Sequence, residues 1–217
     1  MKKLLTFLIT VLIVFNSVLS FSAVSKPLKP KGLKIVSYNH MYHTVSLNLK
    51  EKKTANYQVK VYNYKNKLSQ TINLSPNRSF TGKYNKRFPY VIKNIKDNRF
   101  YKIKVRSYKK SNGKKIYGKY SKPVYACQEV NCSLDWNTHA ISWDKVKGAS
   151  RYIVKLAKDN GSKKFVKFAT VKDTNVVLTD SVYKEYGKRF YAQIIAQKKV
   201  KNKYYSSHFD GTFLWHM

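Results

Sequence analysis

Acidic residues are scarce in this sequence. Asp and Glu together number 10 among 217 residues, against 44 Lys and Arg, so the formal net charge is +34. The 8 glycines form no phosphate-cradling loop, and the sequence contains no G-x-S-x-G motif, no Cys/His arrangement and no evident pair of catalytic carboxylates. A hydrolase needs one of these arrangements. We therefore expect no enzymatic activity, no cofactor and no metal site.

Long apolar runs are absent except near the N-terminus. Lys2 and Lys3 precede an apolar run over residues 4–18, and the small residues Ser20, Ser22 and Ala23 follow. This layout is typical of a secretory signal peptide, here residues 1–23, because the run is shorter than the roughly 20 residues that span a bilayer. An uncleaved membrane anchor is the alternative. We expect a secreted or cell-envelope-associated protein with no transmembrane segment after cleavage.

Cysteine occurs only twice, as Cys127 and Cys132 in the stretch CQEVNC. An exported chain permits a disulfide between them, and closing so small a loop contributes less than the roughly 3 kcal/mol of a 15-residue loop. Two thiols are the alternative. The C-x4-C spacing is weak evidence for zinc, which takes four ligands. His40 and His43 are expected to lie in a solvated turn.

Basic residues are abundant, and 38 of the 44 are lysines. A basic surface concentrates anions and speeds their encounter, so the charge predicts a polyanionic partner; solubility alone is the other interpretation. Lysine suits diffuse contacts to phosphate or sulfate, whereas base reading favours bidentate arginine. We expect an anionic cell-wall polymer, a sulfated glycan, an anionic lipid surface or extracellular DNA, with no sequence-specific recognition of nucleic acid.

Alternation of apolar and polar residues dominates the chain after residue 25 and predicts β-strands. The strands are expected within the segments 44–49, 56–64, 89–108, 139–156, 174–178 and 186–197. The same order of strands occurs twice, roughly 90 residues apart, which predicts two tandem β-sandwiches of about seven short strands each.

Two stretches resemble parts of a known family. WDKVKGASRYIV (143–154) resembles the B–C hairpin of a fibronectin type III domain. YKIKVRSY (101–108), followed by SNGKKIYGKYSKPV (111–124), resembles the F–G hairpin of type III domains in secreted bacterial proteins. The resemblance implies an all-β, immunoglobulin-like fold that serves adhesion, spacing or binding and carries no active-site residues.

The resemblance extends over two modules, module 1 at 30–126 and module 2 at 127–217. Two positions depart from the family pattern. Leu49 stands where the family usually has a tryptophan on the B strand, and Phe190 stands at the corner tyrosine. The hydroxyl bond of a tyrosine corner is therefore not expected at residue 190.

The F strand of module 1 is expected to place alternate residues in the core and in water. Tyr101, Ile103 and Val105 are expected to point inward. The outward residues of this strand and its neighbour form the predicted anion-binding face: Lys60, Tyr62, Lys102, Lys104, Arg106 and Tyr108. Like charges opposite one another cost about 0.2–1 kcal/mol per pair, so folding gains nothing from these lysines. A ligand explains their crowding.

The charge is divided unequally between the modules. Residues 31–125 contain 24 basic and two acidic residues, whereas residues 126–217 contain 16 basic and eight acidic residues. The corresponding face of module 2 is nearly neutral and consists of Ile153, Lys155, Tyr191, Gln193 and Ile195. Module 1 is therefore expected to bind the polyanion. The alternative is a protein–protein interaction module, an adhesin or a subunit of a secreted complex, that docks a partner through the near-neutral face.

Overall fold

The computed structural model describes residues 25–39, 41–50, 56–74, 90–160, 164–208 and 212–215. The predicted signal peptide and His40 lie outside these ranges. Within them the chain forms sixteen β-strands and one short helix. No helix in the described part of the chain is long and apolar enough to cross a membrane.

Module 1 consists of two antiparallel sheets. The three-stranded sheet has the order β1 (Lys31–Asn39), β2 (Thr44–Lys50), β5 (Tyr90–Ile92). The five-stranded sheet has the order β4 (Leu68–Leu74), β3 (Asn56–Tyr62), β6 (Tyr101–Ser111), β7 (Lys114–Tyr117), and β8 (Val124–Ala126) also pairs with β6. Apolar residues from both sheets form one buried cluster.

Module 2 repeats this plan. Its three-stranded sheet consists of β9 (Cys132–Asp135), β10 (Ala140–Trp143) and β13 (Asn175–Val177), with β10 in the middle. Its five-stranded sheet has the order β12 (Val166–Val171), β11 (Arg151–Lys158), β14 (Arg189–Val200), β15 (Lys203–Ser206), and β16 (Thr212–Trp215) also pairs with β14. The chain is thus all-β, with two tandem fibronectin type III-like sandwiches.

A short helix, α1 (Asp180–Tyr186), lies between β13 and β14 and was not anticipated. Only Val182 of this helix is buried, where it joins the core of module 2. Tyr183 and Tyr186 pack against the same core from partly exposed positions, and these three contacts are too few to give a clear helical period in the sequence.

The inward residues of β6 lie where alternation places them. Tyr101, Ile103 and Val105 are buried in the core of module 1, together with Leu49 of β2. Burial of apolar side chains from facing sheets is the main source of stability in a sandwich. The position of the expected B-strand tryptophan is therefore filled by a smaller residue that still belongs to the core.

Tyrosine hydroxyls anchor a loop in each module, at different places. In module 1 the backbone N–H of Lys96 donates to the hydroxyl of Tyr101 at 3.1 Å, which is the geometry of a tyrosine corner. In module 2 the corresponding residue, Phe190, is fully buried and has no hydroxyl. There the N–H of Val146 donates to the hydroxyl of Tyr152 on β11 at 2.9 Å. Module 2 thus anchors the loop before β11 instead.

The two modules meet in a packed junction. Phe100, directly before β6, belongs to the hydrophobic cluster of module 2, as does Tyr125. The N–H of Phe100 donates to the carbonyl of Lys147 at 3.0 Å, and the N–H of Lys147 donates to the carbonyl of Asn98 at 2.8 Å. The rings of Tyr125 and Tyr205 lie 4.3 Å apart. Apolar burial and backbone hydrogen bonds therefore join the modules.

Gly148 permits the close approach at this junction. Its φ of +88° lies in a region that side-chain-bearing residues rarely adopt. A Cβ atom there would lie 3.0 Å from the Cβ of Tyr64 and 3.6 Å from the Cβ of Phe100. The glycine of the WDKVKGAS stretch is thus required both by its backbone and by module 1.

Cys127 and Cys132 also lie at the junction, and the structure does not join them by a disulfide. Cys127 is fully buried in the core of module 2, and Cys132 is partly buried on β9. Burial raises the pKa of the Cys127 thiol to about 12, and the charge of Asp97 adds to this effect. The disulfide stays a prediction from the sequence.

Thiol labelling tests the burial of Cys127. At pH 8 this thiol stays protonated because its pKa is about 12, and a protonated, inaccessible thiol is unreactive. We expect a maleimide to leave Cys127 unmodified in the folded protein, as measured by peptide mass spectrometry. Modification at Cys127 in the folded state would contradict the packed junction. The protein is then unfolded without reductant and labelled again. Two maleimide adducts per chain show that both cysteines are thiols, whereas no adduct shows that they form a disulfide.

Replacing Gly148 by alanine tests the junction contact. We expect Gly148→Ala to lower the free energy of unfolding by about 1–3 kcal/mol, because alanine adds both backbone strain and a contact with Tyr64. Gly113→Ala is the matched control, since Gly113 has a φ of +73° but no atom within 4 Å of an added Cβ. Urea denaturation measures both. Equal losses of stability in the two variants would show that the contact with Tyr64 adds nothing to the effect of Gly148→Ala.

Candidate anion-binding face

The predicted anion-binding residues lie on the outer face of the β3–β6 strand pair. These strands are antiparallel, with Lys60 opposite Lys104 and Tyr62 opposite Lys102. Because Val59, Val61, Ile103 and Val105 point into the core, the alternate residues point away from it. The structure therefore brings Lys60, Tyr62, Lys102, Lys104 and Arg106 together, each partly exposed. We call these five residues the basic face.

Acidic residues are missing from the sheet that carries the basic face. Strands β3, β4, β6, β7 and β8 contain no Asp or Glu. Among the residues that the structure describes, none of the three lysines of the basic face forms an ion pair; the ion pairs found there join His43 to Asp97 and Arg189 to Asp159. The positive charge of this face is therefore not neutralised within the described part of the molecule.

Arg106 is held inside a network of side chains. Its Nε donates to Oε1 of Gln58 at 2.9 Å, and its guanidinium lies 3.5 Å from the ring centre of Tyr117 and 4.7 Å from that of Tyr120. The hydroxyl of Tyr120 also donates to Gln58, at 3.4 Å, and Nε2 of Gln58 donates to Asn73 at 3.3 Å. Arginine stacks well on aromatic rings. Arg106 thus ties β6 to its neighbours as well as carrying charge.

Lys102 is positioned by two contacts. Its Nζ donates to Oδ1 of Asn66 at 2.7 Å and lies 4.9 Å from the ring centre of Tyr62. Partial burial lowers the pKa of Lys102, and repulsion from Lys104 and Lys198 lowers it further. The ammonium group is thus crowded by like charges while a turn residue holds it in place.

Lys60 and Lys104 form a like-charged pair across the two strands. Directly opposed side chains in an antiparallel pair have Cβ atoms about 4.5–5.5 Å apart. Nζ of Lys104 lies 5.9 Å from the ring centre of Tyr120, a long cation–π contact. Both ammonium groups remain able to contact a ligand.

Tyr108 lies on the same outer side of β6 but is covered. It is only 5 % exposed. The ring of Tyr117 lies 5.7 Å from it, and Nζ of Lys115 lies 5.0 Å from its centre. Alternation predicts its outward direction, but side chains of the neighbouring strand β7 bury it. Tyr108 therefore does not present its ring to a ligand.

Four neighbours of the basic face were not identified from the sequence: Asn66, Tyr117, Tyr120 and Lys198. The tyrosines follow the F–G turn in the stretch YGKY, whose spacing gives no direction for the rings. Lys198 belongs to module 2 and comes near only because the modules pack together. Sequence spacing within one module carries no information on that contact.

The near-neutral face of module 2 has less accessible surface than its sequence indicates. Ile153 lies opposite Ile195 and Lys155 opposite Gln193, so these residues share one face. Ile195 is 4 % exposed and Gln193 is 6 % exposed. Much of the apolar surface that a partner would use is already buried within the chain.

Metal ligands do not cluster in the described residues. No group of three or more His, Cys, Asp or Glu side chains there could hold a metal ion. His43 instead lies 3.5 Å from the carboxylate of Asp97, in an exposed turn.

Comparison with known proteins gives structural likenesses only. No protein-family model and no curated protein matches the chain. A two-domain fibronectin type III segment from chicken tenascin is 16% identical, with a TM-score of 0.31, over 86% of this chain and 98% of that chain. The FN1–FN3 domains of chicken CNTN1 are 10% identical, with a TM-score of 0.33, over 88% of this chain and 67% of that chain. The assignment of two sandwiches rests on the strand order of the chain itself.

Proposed function

We propose that this is a secreted, non-enzymatic binding or adhesion protein that associates with an anionic surface polymer through the basic face of module 1. The observation that carries the proposal is a five-stranded sheet without acidic residues, whose lysines form no ion pair among the described residues. Tandem sandwiches of this type are scaffolds on which binding sites are placed. The signal peptide predicted at 1–23 accounts for delivery outside the cell.

The energetics of the face favour a bound anion. Lys60 and Lys104 repel one another across the strands, at about 0.2–1 kcal/mol, and Lys102 is crowded by Lys104. An anion placed over these groups replaces repulsion with attraction. Contacts to Asn66 and to tyrosine rings also restrict the side chains before binding, which lowers the entropy lost on association.

The spacing of the lysines suits a polymer better than a single small anion. Lys102 and Lys104 are two residues apart on one strand, which corresponds to about 6.6 Å. Lysines along the face thus present separate charges to successive anionic groups. The candidates are an anionic cell-wall polymer, a sulfated glycan and an anionic lipid surface, in which phosphate or sulfate recurs.

The alternative function is docking of a protein through the near-neutral face of module 2. That face has its central residues Ile195 and Gln193 buried within the chain, so little apolar area is left for a partner. The dependence of binding on salt concentration distinguishes the two functions. Association with a polyanion weakens steeply between about 50 and 200 mM salt, whereas an apolar complex tolerates that change.

Neutralising the lysines tests the proposed function. We expect K60Q/K102Q/K104Q to reduce retention on purified cell wall or an immobilised sulfated glycan by about a hundredfold, because each lysine near an anionic surface contributes about 1 kcal/mol. The fold should persist, since the substitutions remove repulsion between exposed groups. Co-sedimentation at several salt concentrations measures retention, and circular dichroism measures folding.

The control for this test removes the same charge from module 2. Lys164, Lys167 and Lys172 are exposed on or beside β12, and K164Q/K167Q/K172Q should lower retention far less. Equal losses would mean that binding follows net charge, and the basic face would be rejected as a site. Walls stripped of their anionic polymers should retain neither the native protein nor the control variant.

Arg106→Lys separates the structural role of Arg106 from binding. Lysine keeps the charge but cannot stack a planar guanidinium on Tyr117 or reproduce the Nε bond to Gln58. We expect a loss of about 1–2 kcal/mol in the free energy of unfolding, with retention changed less than twofold. A large loss of retention at unchanged stability would instead place Arg106 in direct contact with the polymer.

A further inference from the structure

Lys102 and Lys198 belong to different modules, but both lie beside the turn between β3 and β4. Nζ of Lys198, on β14, lies 3.5 Å from the carbonyl oxygen of Gly148. A Cβ on Gly148 would lie 3.3 Å from that same Nζ and 3.0 Å from the Cβ of Tyr64. The ammonium of Lys198 therefore lies where Gly148 meets the turn between β3 and β4.

The same turn of module 1 holds Lys102. Asn66 accepts the hydrogen bond from Nζ of Lys102 at 2.7 Å, and Tyr64 lies two residues earlier in the chain. Both ammonium groups thus flank the segment 63–67, one from each module. Repulsion from Lys198 contributes to the lowered pKa of Lys102, and burial lowers the pKa of Lys198 itself.

The turn between them has a defined shape. The side chain of Asn63 accepts hydrogen bonds from the backbone N–H groups of Lys65 and Lys67, each at 3.0 Å. The N–H of Asn66 donates to the carbonyl of Asn63 at 2.9 Å. Together with the backbone bonds between Phe100 and Lys147, these contacts fix the turn and its approach to Gly148 before any ligand binds.

Counter-charges do not compensate the pair. Within the described ranges neither lysine takes part in an ion pair; the carboxylate of Asp97 pairs with His43 and that of Asp159 with Arg189. Two partly buried like charges without a carboxylate oppose folding. An anion between them removes that cost.

The donors that remain define the class of ligand. An ammonium group has three N–H donors, and each lysine spends one, on Asn66 or on Gly148. Four donors then remain on the two ammonium groups, which suits a group with several terminal oxygens. A phosphate or sulfate ester offers these oxygens together with the negative charge.

We propose that Lys102 of module 1 and Lys198 of module 2 form a clamp across the junction that holds one phosphate or sulfate group of the bound polymer. The clamp rests on the proposed function and adds to it a residue of module 2 and a ligand group. It makes the packed junction part of the binding site, because neither module alone presents both ammonium groups.

Titration of the mature two-module protein with inorganic phosphate tests the clamp. NMR follows the Nζ and Cε signals of the lysine side chains during the titration. Sulfate is used in a parallel titration, and chloride at constant ionic strength is the reference. We expect both lysine signals to shift and to saturate with one dissociation constant. Shifts that rise linearly without saturation, or that occur at only one lysine, overturn the clamp.

Substitutions make the test specific. Lys102→Gln and Lys198→Gln should each weaken phosphate binding about tenfold or more, since each removes charge-assisted hydrogen bonds. The double variant should lose little beyond either single variant, because one lysine alone does not hold the group. The control K110Q/K201Q removes two exposed lysines from β6 and from the turn after β14, and should change binding less than twofold. A Lys198→Gln variant that behaves like this control overturns the clamp.

The two proposals fail differently. If Lys198→Gln leaves phosphate binding intact while K60Q/K102Q/K104Q abolishes polymer retention, the clamp is rejected and the basic face stands. If phosphate saturates both lysines while no lysine variant alters retention, the polymer function is rejected, and what stands is a site for free phosphate or sulfate between Lys102 and Lys198. To identify the source of the group, retention of Lys198→Gln and of the native protein is compared on a phosphodiester wall polymer, on a sulfated glycan and on anionic vesicles. The material on which Lys198→Gln loses most retention relative to the native protein supplies the group.

Discussion

The antiparallel pairing of β3 with β6 is the constraint on which the rest of module 1 depends. One row of its residues, including Val59 and Ile103, forms the core, so the other row has to face outward. That outward row carries the lysines because the inward row cannot, since an unpaired charge is too costly to bury. The stability of the sandwich and the charge of its surface are two consequences of one strand register.

The junction joins two similar sandwiches through packed contacts. Burial of Phe100 in the core of module 2 and the backbone bonds to Lys147 set the distance between the modules. Gly148 then allows the turn at Tyr64 to approach. Lys102 and Lys198 lie beside the same turn only as a result of this packing. The proposed phosphate clamp therefore depends on both modules.

The sequence predicted much of the fold because alternation is a local property. Each strand reports its own inward and outward residues, so the placement of Tyr101 in the core and of Lys102 and Lys104 outside it followed without tertiary information. The helix Asp180–Tyr186 was missed because its core contacts, Val182, Tyr183 and Tyr186, span little more than one helical turn. The burial of Tyr108 was missed because it depends on side chains of the neighbouring strand β7, which alternation along β6 does not report.

Composition and periodicity by themselves determined the all-β class, the tandem repeat, the excess of positive charge in module 1 and the row of residues that carries it. Tertiary structure decided which of those residues remain accessible: Arg106 is engaged by Gln58 and Tyr117, whereas Lys102 is presented beside Lys198. The physical reason is the separation along the chain over which each effect acts. Strand alternation acts between adjacent residues, but side-chain networks and module junctions join residues far apart in the chain, and only packing brings those together.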